Sequence, residues 1–288
     1  MTTSQDNPGT LFVVATPIGN LDDISLRART VLAAADLIAA EDTRHTQRLL
    51  QRFGIRTPLL SCHEHNEAER TADIVARLQS GADVALVSDA GTPLLSDPGF
   101  RLVAAAAAAG LRVSPVPGCS AAMAALSVAG LPTDQVLFTG FLPASAGKRR
   151  ARLEALRLQP ATLVVYEAVH RVQAALADMV TVFGPERQAV AARELTKLHE
   201  TVYRGTLAQL TAQLAAGPGA DKGEYTLVIA GAAPTPTDGA ELDRILGIML
   251  GFLGVRQAAD ATVAILGVRR NDAYRRALEI RASAEGDD

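Results

Sequence analysis

The sequence predicts an α/β protein with a parallel-sheet N-terminal domain, a mixed-sheet second domain and a small C-terminal helical module. Three observations predict it. Apolar runs alternate with helical patterns five times between residues 10 and 133, the signature of consecutive βαβ units. From Asp134 onward the strands are separated by short turns as well as by helices, and short turns join only antiparallel strands. After the linker-like stretch Ala232 to Gly239, three short helical patterns are divided at Gly254 and Gly267, a module of helix-turn-helix size. The expected domains are 10–133, 134–231 and 240–282.

In the first domain, Leu11 to Ala15 reads as a buried strand ending at Thr16-Pro17-Ile18-Gly19-Asn20. Asp22 or Asp23 is expected to cap a helix that buries Ile24, Leu26, Val31 and Leu32. Leu37 to Ala40 delivers Glu41-Asp42-Thr43-Arg44-His45, and Leu59 to Ser61 delivers Cys62-His63-Glu64-His65-Asn66. Val84 to Val87 runs into Ser88-Asp89-Ala90-Gly91-Thr92-Pro93, whose Asp, Gly and Pro cannot continue a strand. Asp97 and Pro98 suit the N-cap and first position of the next helix, which Gly110 closes. Arg112 to Val116 is the fifth strand, and Pro117-Gly118-Cys119-Ser120 opens a helix from Ala121 to Ala129. Taken alone, each loop reads equally as ordinary turn chemistry. Five polar or Gly-rich clusters on one sheet edge outline a ligand cleft.

Composition narrows the function. With 48% hydrophobic residues in 288 there is material for full cores, and a net charge of −3 from 28 basic and 31 acidic residues restricts any polyanion site to a patch. Cys62 and Cys119 have no metal or disulfide spacing, and the polar segment Met1 to Thr10 lacks the pattern of a secretory signal. No apolar run has the length of a membrane span, so the expectation is a cytoplasmic protein with no membrane contact. No GxGxxG follows the first strand, which disfavours a dehydrogenase. Glu41, Asp42, His45, His63, Glu64 and His65 lack HExxH spacing, so no metal is expected. Glu41 and Asp42 read as caps, cleft walls or a base.

In the second domain, Val136 to Phe141 is a strand and Lys148 to Leu156 a basic helix, read either as a solvated face or as a phosphate contact in which Arg149 and Arg150 take part. Thr162 to Tyr166 leads to Glu167-Ala168-Val169-His170-Arg171, and Gln188 to Ala192 leads to Arg193-Glu194-Leu195-Thr196-Lys197. Thr201 to Tyr203 and Tyr225 to Ile229 are β, with a helix from Leu207 to Ala215 between them. In the terminal module, Arg256, Arg269, Arg270, Arg275, Arg276 and Arg281 give a basic side that favours a polyanion contact.

The motifs ATPIGNLDDISLRA (15–28), EDTRHTQRLL (41–50), LVSDAGTPLLSDPG (86–99), PVPGCSAAMAALSVAGLPTD (115–134), FTGFLP (138–143), KRRARLEAL (148–156), RELTKLHE (193–200) and KGEYTLVIAG (222–231), in this order, resemble the tetrapyrrole methylase superfamily. Within it the chain is most similar to the 16S ribosomal RNA methyltransferase I family, over about residues 10 to 281. The resemblance implies S-adenosylmethionine as methyl donor, the 2′-oxygen of a cytidine near the decoding centre of the small ribosomal subunit as acceptor, a homodimer, and an RNA-binding tail.

Mapped onto this chain, the resemblance implies donor contacts at Pro17, Gly19, Asp89, Ala90, Gly91, Thr92, Pro93, Ser120 and Ala121. Candidates for removing the acceptor proton are Glu41, Asp42, Glu167, Glu194 and Lys197, with Arg44 and Arg171 on phosphates. The chain departs from the family's Y-E-[SA]-P-H-R motif at Val169, which stands in place of the Pro, and Asp272 interrupts the basic run of the tail. Two rival readings are the same fold acting on a small molecule, such as a porphyrinoid or modified amino acid, and a ligand-sensing regulator that binds DNA through the tail.

Overall fold

The structure is a computed structural model and describes residues 7–217, 223–233 and 239–285. Met1–Asp6, Lys222 and Pro234–Asp238, on which the expectations for the N-terminus, one motif and the linker partly rest, lie outside the described residues. The chain forms two compact units, one through Gly231 and one from Ala232 onward.

The first unit contains two five-stranded sheets. Strands β1 (Thr10–Val14), β2 (Leu37–Ala40), β3 (Leu59–Ser61), β4 (Val84–Val87) and β5 (Arg112–Val116) make an all-parallel sheet in the order β3-β2-β4-β1-β5. The helices α1 (Leu26–Ala34) and α2 (Thr43–Arg52) share one apolar cluster with one face of this sheet, whereas α3 (Glu67–Gln79) and α4 (Phe100–Ala108) share another. The chain leaves β1 toward β2 and leaves β4 toward β5, in opposite directions from two adjacent strands. The crevice between their C-terminal ends is therefore a topological switch point, where open α/β sheets bind ligands. A two-residue bridge between Thr16 and Gly91 ties the loops that leave these strands, with Thr16 N–H donating to Gly91 O at 2.9 Å and Gly91 N–H to Thr16 O at 3.0 Å.

Helix α5 (Ala121–Ala129) follows β5 but buries Ala122, Ala125, Leu126 and Ala129 against the second sheet. That sheet comprises β6 (Val136–Phe141), β7 (Thr162–Ala168), β8 (Gln188–Arg193), β9 (Thr201–Thr206) and β10 (Glu224–Ile229), in the order β6-β7-β10-β8-β9. Only β6 and β7 pair in parallel, so the sheet is mixed. Alternation along β7 divides the two layers: Leu163 and Val165 face α6 (Ala146–Glu154), α7 (Val172–Phe183) and α8 (Leu207–Ala216), while Val164 faces α5.

The second unit consists of α9 (Gly239–Leu250), α10 (Val255–Leu266) and α11 (Arg270–Glu285), packed around Leu246, Ala258, Ala259, Thr262, Ala273 and Ala277. Gly254 caps the start of α10 and Gly267, in the left-handed conformation, ends it. Among the described residues no helix is long and apolar enough to cross a membrane.

Three local expectations are corrected. Neither Asp22 nor Asp23 caps α1: Asn20 caps a short 3-10 turn at Leu21–Asp23, and the Ser25 hydroxyl accepts from Ala28 N–H at the start of α1. Leu26, in the first turn of α1, is 78% exposed because the buried stripe runs through Ile24, Ala28 and Leu32. Helix α4 begins at Phe100 with Gly99 as N-cap (φ 120°), so Asp97 and Pro98 lie in the preceding turn. A Cβ on Gly99 would come 2.8 Å from Leu86 Cδ2. The capping acceptor is instead the buried Glu67 of α3, whose Oε1 receives Gly99 N–H at 3.1 Å and Arg101 N–H at 2.9 Å.

Basic helix α6 is also corrected. Arg149 is buried, with its guanidinium on Asp178 of α7 (Nη2 to Oδ2, 2.6 Å), and Arg150 donates to the other oxygen at 2.6 Å. Arg149 and Arg150 form an interhelical clamp on Asp178, while Lys148 and Arg152 stay exposed. Burial pushes the Asp178 carboxyl up, but the hydrogen bonds and charges of Arg150 and Arg149 outweigh it and hold the group below its ordinary value.

Candidate active site

The first sheet's loops and the second sheet's strands enclose a cavity of about 360 Å³. The switch-point loops contribute Ile18, Asp89, Ala90, Gly91 and Thr92, β2 contributes Glu41 at its end, and α5 contributes Ala121. From the second sheet come Phe141, Tyr166, Glu167, Ala168, Ala192, Glu194, Leu195, Lys197, Glu224, Tyr225 and Thr226. The turn corrected above adds Leu95, Ser96 and Asp97. Among the described residues, every non-glycine with a left-handed φ lies in the two loops that meet here: Leu94 (74°), Ser96 (72°), Glu194 (50°) and Thr196 (65°). Strained backbone of this kind persists where the surrounding fold imposes it and collects at functional sites.

Of the expected donor contacts, Asp89, Ala90, Gly91, Thr92 and Ala121 line the cavity. Pro17, Gly19, Pro93 and Ser120 stand next to lining residues without lining it themselves. Ser120 caps α5, its hydroxyl accepting from Met123 N–H. Gly19 lies beneath Lys197, and Gly91 (φ 83°) sits in the bridge to Thr16. A Cβ at Gly91 would face Ile18 Cγ2 at 3.3 Å, so Gly is needed for its conformation and packing rather than to open the cavity.

The candidate bases separate sharply. Asp42 is the N-cap of α2, receiving Arg44 N–H at 2.8 Å, and does not line the cavity. Lys197 Nζ is held 2.9 Å from both Glu194 Oε1 and Glu224 Oε2. Burial pushes the Lys197 ammonium down, but hydrogen bonds to the two carboxylates raise it above its ordinary value. Burial likewise pushes Glu194 up, and the bonds from Lys197 and from Glu224 N–H bring it below. Both groups are thus fixed in their charged forms. Glu167 has no exposed side-chain surface and has Arg171 Nε 3.1 Å from its Oε1, while its Oε2 is buried without a partner. Burial is the main cause that raises its carboxyl.

Glu41 is partly exposed, receives Asp89 N–H at 3.4 Å and is raised first by burial and next by the charge of Asp97. Asp97 is itself raised by burial and by Asp89. Arg171 is not available to a phosphate, since it serves Glu167 and the Leu142 carbonyl. Val169, in the motif's Pro position, packs on the core beneath while Arg171 N–H closes the turn on Ala168 O.

Sequence reasoning missed Asp97, Phe141, Tyr166, Glu224, Tyr225 and Thr226. Phe141 and Tyr166 meet edge to face with centroids 5.6 Å apart, and Tyr166 Oη receives Ala122 N–H at 3.2 Å. Phe141 lies in FTGFLP and Glu224, Tyr225 and Thr226 in KGEYTLVIAG; the signal lacking was the strand order that brings β10 beside β7. Among the described residues no group of three or more His, Cys, Asp or Glu is placed to hold a metal ion.

In the tail, three of the six arginines of the basic side carry ion pairs among the described residues: Arg270 with Asp260, Arg275 with Asp272, and Arg276 with Asp243 and Glu279, while Arg256 and Arg269 are exposed.

The two sheets and the cavity between them are those of the methyltransferases described as Tetrapyrrole (Corrin/Porphyrin) Methylases, whose family profile matches residues 10–211. A second profile, RsmI C-terminal HTH domain, matches 236–281. The chain is 55% identical to Ribosomal RNA small subunit methyltransferase I of Pseudomonas aeruginosa over 94% of this chain and 97% of that one. It is 47% identical to the Escherichia coli O157:H7 protein of the same name, over 96% and 97%. Uroporphyrin-III C-methyl transferase from Thermus thermophilus, solved in complex with S-adenyl homocysteine, shares the fold at a TM-score of 0.53 and 17% identity, over 77% of this chain and 97% of that one. The chain belongs to the ribosomal RNA small subunit methyltransferase I family and is a methyltransferase.

Proposed function

We propose that this enzyme moves the methyl group of S-adenosylmethionine to the 2′-oxygen of a cytidine in 16S ribosomal RNA, near the decoding centre of the small subunit. The observation that carries the reading is the charge of the cavity. Glu41, Asp89, Asp97, Glu194 and Glu224 line it against, among the described residues, the single ammonium of Lys197, which suits a cationic donor and repels anionic ones. The switch-point loops, with Asp89 to Thr92 and Ala121, would hold the donor, joined by the neighbouring Pro17, Gly19, Pro93 and Ser120. Apolar walls from Ile18, Leu95, Leu195 and Phe141 would enclose its uncharged parts. When bound, the donor supplies a methyl carbon already activated by a positive sulfur.

The protein's task is then alignment and removal of one proton. Glu41 fits this role: it is a partly exposed carboxylate with raised basicity that receives, among the described residues, only a 3.4 Å bond from Asp89 N–H, whereas Glu194 and Lys197 are locked to each other and Glu167 is sealed against Arg171. With the donor held by the switch-point loops, the 2′-oxygen would take the methyl carbon and the electrons of the broken carbon–sulfur bond would stay on sulfur. The hydroxyl proton passes to Glu41 Oε. Glu167 holds the β7 end in shape through Arg171. The 2′-hydroxyl requirement makes RNA the substrate.

The reading carries with it a donor half (10–133), an acceptor half (134–231), a tail (240–282) that contacts RNA, a homodimer and a cytoplasmic location. Incubation with methyl-labelled S-adenosylmethionine and small ribosomal subunits is expected to label one cytidine ribose of 16S RNA. Absence of label on naked RNA, assembly intermediates and mature subunits alike would overturn the proposal.

A further inference from the structure

We infer that the exposed face of α2 is a docking strip for the phosphates of the RNA strand whose ribose enters the cavity. The inference rests on the proposed RNA acceptor and adds the surface that carries it. Helix α2 buries Thr46, Leu49 and Leu50 and turns Arg44, Arg48 and Arg52 to solvent. Four residues advance an α-helix by about 6 Å, so the three guanidiniums step along one side at a spacing of the order of that between neighbouring phosphates in a strand. The helix starts immediately after Glu41 and Asp42, so the strip begins at the cavity rim.

Two features distinguish this face from the other basic patches. Arg149 and Arg150 of α6 and Arg270, Arg275 and Arg276 of α11 are held by carboxylates, which leaves Arg152 as the exposed arginine of α6 outside such a pair among the described residues. Helix α2 has no acidic residue within Thr43–Arg52, and among the described residues Arg48 and Arg52 pair with no carboxylate. Arg44 has only the cap residue Asp42, at 3.4 Å, and its side chain is 89% exposed. Stability does not account for the pattern. The positive end of the helix dipole disfavours Arg44 and His45 in the first turn, where acidic side chains are stabilising. Exposed guanidiniums at regular spacing, two of them without a carboxylate partner among the described residues and Arg44 held only by the cap residue, match a polyanionic backbone, and Gln47 and Gln51 on the same exposed side add hydrogen-bonding groups.

The test is the triple variant Arg44→Gln, Arg48→Gln, Arg52→Gln, compared with a charge-matched control on exposed arginines away from the cavity and the tail, Arg77→Gln, Arg112→Gln, Arg157→Gln. Binding to naked 16S RNA and to small subunits is measured against salt, donor affinity by calorimetry, and methyl transfer by label. The α2 variant is expected to keep its melting temperature and donor affinity, to lose about two units of salt slope (about 0.7 per single-strand phosphate contact), and to fall at least about tenfold in kcat/KM through KM. The control is expected to match wild type. An unchanged slope and KM, with wild type labelling RNA normally, would overturn the strip. Weaker binding to subunits with unchanged binding to naked RNA would also overturn it, by making the strip a protein contact. If wild type itself labels no RNA, the proposed function fails rather than the strip.

Discussion

Lys197 lies across Gly19: a Cβ at Gly19 would come 2.3 Å from Lys197 Cγ and 3.1 Å from the Leu195 carbonyl oxygen. The loop after β1 therefore touches the loop after β8 with no room for a side chain, and Asn20 N–H adds a hydrogen bond to Thr196 Oγ1 at 3.2 Å. Lys197 cannot swing aside cheaply because Glu194 and Glu224 hold its ammonium. Gly19→Ala is expected to destabilise by about 1–3 kcal/mol through overpacking and to weaken donor binding at least about tenfold. Adding Lys197→Ala should recover part of the stability, a coupling that a double-mutant cycle on denaturant unfolding reads directly.

The Arg149–Asp178 pair predicts a split between two adjacent arginines. Both side chains of that pair are 6% exposed, whereas Arg150 is 61% exposed. Arg149→Ala leaves a buried carboxylate short of its main partner and is expected to cost about 3–5 kcal/mol. Arg150→Ala should cost about 1 kcal/mol or less. Urea unfolding of the two variants checks this. RNA affinity of the Arg150 variant should stay at the wild-type value, because that guanidinium already belongs to Asp178.

The legible parts of this protein are those with local causes. The runs LFVV, LIAA and VALV, ended by Gly, Pro or Asp, mark β1, β2 and β4 because a buried parallel strand needs continuous apolar residues and a break. Asp89 to Thr92 were readable as cleft residues for the same reason. Contacts between distant segments were not readable. Nothing local to Arg149 announces Asp178, nor does Gly99 announce Glu67, and a surface arginine and a buried one look alike in a basic helix. Tyr225 and Thr226 enter the site only because β10 inserts between β7 and β8, an order that antiparallel connectivity leaves open.

Glu67 gives a prediction of the same kind. Its Oε1 satisfies two amides at the start of α4, and in Glu67→Ala these are left without that acceptor inside the fold. A loss of about 1–3 kcal/mol per orphaned buried group is expected, with Glu67→Gln retaining much of the stability through its carbonyl oxygen. The same turn carries Ser96 and Asp97 into the cavity, so donor affinity should fall in the Ala variant and recover in the Gln variant. Equal stability of Ala and Gln variants would contradict this capping role.

Glu41 combines a functional and an energetic consequence. Burial and the nearby charge of Asp97 raise its carboxyl above the ordinary value. The folded state then binds the proton more tightly than the unfolded chain. Its contribution to stability is accordingly complete below the unfolded carboxyl's pKa and lost as pH rises through the higher folded value. Glu41→Gln removes a carboxylate that is strained when ionised, so the variant should be more stable than wild type at neutral pH, with the difference shrinking to nothing in acid. As the general base, ionised Glu41 is expected to supply about 10²–10⁴ in rate. Wild-type kcat/KM should climb with pH through the raised pKa and level off, while the variant is slow and lacks that limb. Urea unfolding and initial rates across the acid range test both halves. A Gln variant that is stabilised yet fully active would leave Glu41 as a wall of the donor pocket and move the base elsewhere.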